Sequence, residues 1–283
     1  VVGRENIFDF SIGNPNVPAP QAVTDEIVRL AQTEDAAMLH GYTSAQGDAG
    51  VRERIAEAIN QAHGTSFQGD NLYMTVGAAA SLCICFKAIA EAGDEFITFA
   101  PFFPEHFQIN FEEFEKMLNP HTKGIIVNSP NNPSGVVYSE ETILRLTKIL
   151  KEKSAQYGHP IYLIADEPYR EIAYDGVKVP YLTKYYDNTF VCYSYSKSLS
   201  LPGERIGYIV VPDEMEESKK AYAAVCGAGR VLGYVCAPAM FQRVAAACTG
   251  MTSDISVYRK NRDLLYDALT EMGYFCVKPQ GAF

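Results

Sequence analysis

The chain has 283 residues, 47% hydrophobic and 20% charged, an ordinary globular composition with length for one large or two modest domains. A net charge of -10 argues against a nucleic-acid partner, which would demand a basic face. No apolar run approaches the ~20 residues of a membrane span and no signal peptide opens the chain, so a cytoplasmic protein without a membrane partner is expected.

Taken in chain order, the first amphipathic pattern is Asp48–His63, where Val51, Ile55 and Ile59 recur at spacing four. An apolar, β-branched run at Leu72–Val76 predicts a strand. Ala78–Glu91 then reads as a helix with Leu82, Phe86 and Ile89 on one face, stopping before Gly93. Further strands are predicted at Glu95–Ala100, Gly124–Asn128, Ile161–Ala165, Phe190–Tyr193 and Arg205–Val211. Ser139 is the predicted N-cap of a helix running to about Tyr157, closed by Gly158 and Pro160. Ser253 is the predicted cap of a long helix ending at Gly273, with Ile255, Leu264, Leu265 and Leu269 available for burial. Strands alternating with helices imply an α/β protein: a three-layer α/β/α arrangement around a mostly parallel sheet.

The seven cysteines are odd in number and scattered, and Cys83-x-Cys85 lacks the C-x-x-C spacing of a zinc or redox site. None of the five histidines is paired at metal spacing. Buried thiols in a reducing cytoplasm, and no metal, are expected.

In sheets of this kind ligands sit outside the carboxyl ends of the strands. Unusual polar or small residues gather there. One strand runs into Thr75-Val76-Gly77-Ala78-Ala79-Ala80, a small-residue turn whose helix start suits a phosphate, although close packing explains it equally well. Another ends in Asn128-Ser129-Pro130-Asn131-Asn132-Pro133-Ser134-Gly135, which by itself describes a rigid loop. Asp166-Glu167-Pro168-Tyr169 sets two carboxylates beside a proline, and on a strand end the two point opposite ways. Tyr193-Ser194-Tyr195-Ser196-Lys197 follows, with Pro202-Gly203-Glu204-Arg205 beyond it.

Together these runs resemble the fold-type-I pyridoxal-phosphate enzymes, the class I/II aminotransferases of the aspartate-aminotransferase type. The resemblance takes in Ser11-Ile12-Gly13-Asn14-Pro15, Tyr42, Gly47 and Arg52, and it covers nearly the whole chain. Ser194-x-Ser196-Lys197 with Arg205, Asn132-Pro133-x-Gly135 and Asp166-x-x-Tyr169 make a highly specific combination.

The resemblance implies that Lys197 holds pyridoxal 5'-phosphate as an imine and, once freed by substrate, moves a proton. It assigns Asp166 to the ring nitrogen, which must stay protonated for the ring to withdraw electrons. Asn132 and Tyr169 are implied to bond the ring hydroxyl oxygen as neutral donors. The phosphate falls to the backbone of Ala78 and Ala79, to Ser194 and to Arg205. Phe103 matches the position whose aromatic ring stacks on the pyridine; the chain has no Trp. Tyr42 matches a residue that reaches across a homodimer interface to the partner's cofactor phosphate. Cis peptides are implied at Ala100–Pro101 and Asn132–Pro133. The implied domains are an N-terminal segment (1–34) packing with a small domain, a large cofactor-binding domain (35–252), and a bridging helix opening an incomplete α+β small domain (253–283).

Two departures stand out. The sequence passes from Pro104-Glu105 straight to His106, where the family places another helix and strand, so a missing segment is expected at that point. The chain also stops at Phe283, short of the family's arginine for the substrate carboxylate, leaving the Gly13 backbone and Asn132 as carboxylate contacts.

Tyr193-x-x-x-Lys197 also matches the catalytic pair of short-chain dehydrogenases, but no glycine-rich turn follows a first strand, and that reading is rejected. A C–S lyase or decarboxylase of the same fold would share these residues. A cofactor-sensing regulator would add a basic helix-turn-helix, and none is evident. The expectation is an aminotransferase moving an amino group between an α-amino acid and a 2-oxo acid in a ping-pong cycle.

Overall fold

The computed structural model describes residues 3, 6, 7, 13–99 and 107–282. All the predicted strands form among them: β1 (Leu72–Thr75), β2 (Glu95–Thr98), β3 (Thr122–Asn128), β4 (Tyr162–Asp166), β5 (Thr189–Ser194) and β6 (Gly207–Val210). They make one six-stranded sheet in the order β1-β6-β5-β4-β3-β2. β2, β3, β4 and β5 pair in parallel, while β6 runs antiparallel to both of its neighbours. Asn128 pairs with Asp166 and Asp166 with Cys192, so β3, β4 and β5 present their carboxyl ends at one level.

The helices are α1 (Gln21–Thr33), α2 (Ala36–His40), α3 (Ala49–His63), α4 (Ala78–Ile89), α5 (Phe111–Met117), α6 (Glu140–Tyr157), α7 (Tyr195–Ser198), α8 (Ser218–Val231), α9 (Ala239–Cys248) and α10 (Ile255–Glu271). Alternation along the strands sorts the core into two layers. Ile125, Val127, Leu163 and Val191 face one way, onto Ile55 of α3, Leu146 of α6 and Val244 of α9. Ile164, Phe190, Cys192 and Ile209 face the other, onto Ile84 of α4 and Val225 of α8. Burial on both faces explains why these strands read as apolar runs rather than as alternating ones.

The helix signals act locally. Asp48 accepts a hydrogen bond from Val51 N at 3.1 Å and Ser139 from Thr142 N at 3.1 Å, caps that contribute typically ~1 kcal/mol each. Gly158 closes α6 in the left-handed conformation.

Three expectations need correction. The N-cap of α10 is Asp254, whose side chain accepts from Ser256 N at 3.0 Å, and not Ser253. The leucines expected in its buried face point outward: Leu264 is 68% exposed and Leu265 62%. The face that packs carries Tyr258 and Arg262, because the Arg262 guanidinium forks onto Asp175 (2.8 and 3.3 Å) and lies 4.7 Å from the Tyr174 ring centroid. On α4 the buried face centres on Ile84, Cys85 and Ile89, with Leu82 and Phe86 only partly covered, since Cys85 meets Cys192 of β5 at 3.6 Å. Helices α1, α2, α5, α7, α8 and α9 lie outside the sequence expectations. Among the described residues no helix is long and apolar enough to cross a membrane.

Candidate active site

Asp166 ends β4, and its carboxylate is bonded by a neutral amide. Asn128, one strand over, donates Nδ2 to the Asp166 carbonyl oxygen (2.9 Å) and to Oδ2 (3.1 Å). Asp166 Oδ1 is buried and has no hydrogen-bond partner. Burial, then the neighbouring Glu167 charge, push this carboxyl up to about 7 against the pull of Asn128. The same Asn128 accepts from Asn132 N at 2.8 Å, so one amide ties the Asn131–Gly135 turn to the aspartate. Asn132–Pro133 is cis, as is Ser129–Pro130; Ala100–Pro101 lies outside the described residues.

The turn after β4 has two faces. Tyr169 points to the same side as Asp166, and Asn132 Nδ2 donates to its hydroxyl at 2.6 Å. Glu167 and Arg170 point to the other side, where Arg170 Nε donates to Glu167 Oε2 at 2.5 Å. A cavity of about 280 Å³ opens between Asn132, Asn128, Asp166 and Phe99. A larger one, about 700 Å³, lies by His63, Tyr181 and Lys184 on the far side of the turn, away from Asp166 and Lys197.

Lys197 stands on α7, a single turn held from several sides. Ser194 caps it by accepting from Ser196 N at 3.2 Å, Tyr193 OH donates to Ser198 Oγ at 2.8 Å, and Ser253 N donates to the Ser198 carbonyl at 2.7 Å. The half-buried Lys197 amine lies 5.9 Å from the Tyr169 ring centroid and donates to the Gly13 carbonyl at 3.2 Å. Burial pushes the amine below the ordinary lysine range, and the Arg205 charge adds to that.

Arg205 reaches the start of α4. A Cβ at Gly77 would stand 2.6 Å from Arg205 Nη2, and the φ of 95° at Gly77 favours glycine there. Gly77 N-caps α4 without a side-chain hydrogen bond, which leaves the Ala78 and Ala79 amides at an open, positively polarised helix end beside a guanidinium.

These residues fit pyridoxal phosphate. An unpartnered buried carboxylate oxygen suits a protonated ring nitrogen, an uncapped helix start with Arg205 suits a phosphate, and a depressed amine lies by Tyr169 within reach of the Arg205 charge. Of the other predicted residues, Tyr42 is 89% exposed on this chain. Phe103 lies outside the described residues. Arg52 is buried away from the cleft, donating to the Gly69 carbonyl and pairing with Asp70 at 3.1 Å. Sequence reasoning assigned no role to Asn128 and did not see the Glu167–Arg170 pair. The asparagine-rich run after β3 was the available signal for Asn128; nothing in the local pattern marked Arg170. Among the described residues no cluster of His, Cys, Asp or Glu could hold a metal ion.

An open α/β sheet with a lysine, an aspartate and an anion-ready helix start at its strand ends defines a fold-type-I cofactor enzyme. Residues 5–107 and 103–283 match the profile of aminotransferase class I and II, and the chain belongs to that family of pyridoxal-phosphate-dependent transaminases. The two matched stretches meet where the sequence passes from Glu105 to His106. The chain is similar to the aspartate aminotransferase of Thermotoga maritima, 27% identical over 99% of this chain and 76% of that protein. It is 29% identical to the probable aspartate/prephenate aminotransferase of Thermus aquaticus, over 98% of this chain and 76% of that one. Among solved structures, an amino transferase from Eubacterium rectale superposes with a TM-score of 0.97 at 60% identity, covering 100% of this chain and 76% of that one.

Proposed function

We propose that this transaminase holds pyridoxal 5'-phosphate on Lys197 and moves an amino group from an α-amino acid to a 2-oxo acid. The observation that carries the reading is the buried Asp166 Oδ1 without a partner, with Tyr169 between it and the depressed Lys197 amine 5.9 Å from that ring. When bound, the cofactor supplies an electron sink for negative charge at the substrate α-carbon. Asp166 provides the opposite charge that keeps the ring nitrogen protonated. Asn132 and Tyr169 present neutral polar groups to the ring oxygen. Lys197, with its lowered proton affinity, takes the proton from the substrate α-carbon and returns it. The Ala78 and Ala79 amides, Ser194 Oγ and Arg205 hold the phosphate, with charge-assisted bonds of ~1.5–3 kcal/mol each. Phe103 is assigned to the ring face, and Gly13 and Asn132 to the substrate carboxylate.

A single-turnover screen tests this: each amino acid is mixed with the loaded enzyme while the cofactor absorbance is followed to the pyridoxamine form. The names of the curated relatives put aspartate first in that screen. No amino acid giving conversion, while the cofactor stays bound to Lys197, would overturn the reading.

The active unit in this reading is a cytoplasmic homodimer, and Tyr42, exposed on one chain, completes the partner's phosphate site. In this reading residues 35–252 are the cofactor domain, 1–34 a segment packing with the small domain, and 253–283 the bridging helix and start of that domain. Mixing Lys197→Ala with Tyr42→Phe chains should regain activity, because one site of the heterodimer then carries neither defect. No gain after confirmed subunit exchange would place Tyr42 in its own subunit's site.

A further inference from the structure

The turn after β4 carries a second pair of residues that the transamination reading leaves without a task. Glu167 is 2% exposed and Arg170 7%, and the two form a fork: Nε to Oε2 at 2.5 Å and Nη2 to Oε1. Arg170 is held from outside as well. It donates to the carbonyls of Val179 at 3.2 Å and Pro180 at 3.1 Å, and its guanidinium lies 4.8 Å from the Tyr181 ring centroid. His63 stacks flat on that tyrosine at 4.2 Å. Glu167 N donates to the Cys192 carbonyl at 2.9 Å, so the pair is locked to β5 beside the strand end that bears Asp166. An ion pair this deep is a weak device for stability, since an apolar pair of the same volume commonly serves as well. Its position directly behind Asp166 suggests another use.

We propose that Arg170 is a positioning residue for the cofactor: its fork to Glu167 offsets part of the charge next to Asp166, which favours the Asp166 anion opposite the ring nitrogen. The inference rests on the reading of Asp166 given above. Two adjacent buried carboxyl groups without a nearby cation resist being ionised together, and a proton kept on Asp166 would remove the negative charge opposite the ring nitrogen. The Arg170 guanidinium does not titrate in the accessible range, so its positive charge persists, facing the Glu171 carboxyl as well as Glu167. Burial holds the Glu167 carboxyl above its ordinary range, and Arg170 pulls against that shift.

The test compares binding of pyridoxal phosphate with binding of its deaza analogue, in which a C–H replaces the ring nitrogen, to the full-length cofactor-free protein. The ratio of the two affinities reports the charge of Asp166, and general damage lowers both affinities together. Wild type should prefer pyridoxal phosphate. Arg170→Met should reduce that preference about tenfold, as expected when the proton affinity of Asp166 rises about tenfold. Glu167→Gln should increase it, because an uncompensated guanidinium then favours the Asp166 anion. The double variant Glu167→Gln/Arg170→Met should restore the wild-type ratio. Opposite signs from breaking one ion pair at its two ends cannot come from a purely structural clamp. Should Arg170→Met fail to fold, the increase in Glu167→Gln and the restoration in the double variant carry the test. Equal losses for both ligands in Arg170→Met and Glu167→Gln would overturn the inference. A wild type that binds both ligands equally would overturn the reading of Asp166 itself.

Discussion

At the amino end of β1, Asn71 is buried and its hydrogen bonds are filled by protein: Nδ2 donates to the Val211 carbonyl and to Asp213 Oδ1, each at 3.0 Å, and Oδ1 accepts from Gln68 N at 2.8 Å. At the opposite end of the sheet, Asp166 shares its burial but leaves Oδ1 without a partner. The first cluster joins segments 140 residues apart (Asn71 to Val211) and does nothing else. The second holds a group in a state that is unfavourable until something binds. Burial without satisfaction costs ~1–3 kcal/mol for a polar group, and more for a charged one. In the proposed function the cofactor ring nitrogen is the donor that Asp166 lacks.

The comparison can be broken by substitution. Lys197→Ala should show the largest effect, a loss of about 10²–10⁴-fold or more in kcat with unchanged melting temperature of the cofactor-free protein. Asp166→Ala should come close to it in activity and weaken cofactor binding. Its cofactor-free melting temperature should be unchanged or raised, because an unsatisfied carboxylate is removed. Asn71→Ala should do the reverse, losing ~1–3 kcal/mol of stability in a denaturant titration while the folded fraction turns over normally. If Asp166→Ala destabilised the cofactor-free protein as much as Asn71→Ala, the two clusters would not differ in kind.

The pH dependence of stability sharpens the same contrast. An unfolded aspartate titrates near ~3.9, whereas burial and Glu167 raise Asp166 to about 7 in the fold. Between those values the folded state holds a proton that the unfolded state has lost, so this group's contribution to stability falls as pH rises from ~4 to about 7. His63 acts in the opposite sense. Burial, with Arg170 and Lys184 nearby, lowers it to about 4, so stability is lost as pH falls through that window. The difference between wild type and Asp166→Asn cancels His63: cofactor-free wild type should lose stability relative to the variant as pH rises. A flat difference across the window would remove the strain assigned to Asp166. The smallest effect is expected from Tyr169→Phe, which deletes one hydroxyl paired with Asn132 and should lower kcat roughly 2–10-fold, the equivalent of one neutral hydrogen bond.

Much of this protein was written locally. Six apolar runs became six strands, Asp48 and Ser139 became caps, and Gly158 ended its helix, because those signals act over a few residues and need no distant partner. The residue types at the strand ends were legible for the same reason: each run, from Asn128–Gly135 to Ser194–Lys197, is contiguous. Other features had no local trace. Antiparallel β6 sits between β1 and β5, which are far apart in sequence, and strand order depends on which apolar faces meet. The outward leucines of α10 and its buried Arg262 were decided by Asp175 and Tyr174, 87 residues from Arg262 in the first case. Asn128 gained its place from Asp166, 38 residues on, and Arg170 from the carbonyls of a loop that the pattern of its own turn does not mention. Periodicity and caps report what a segment can bury or end; which surface covers it, and which buried atom stays unmatched, depends on contacts that exist only when the sheet has formed.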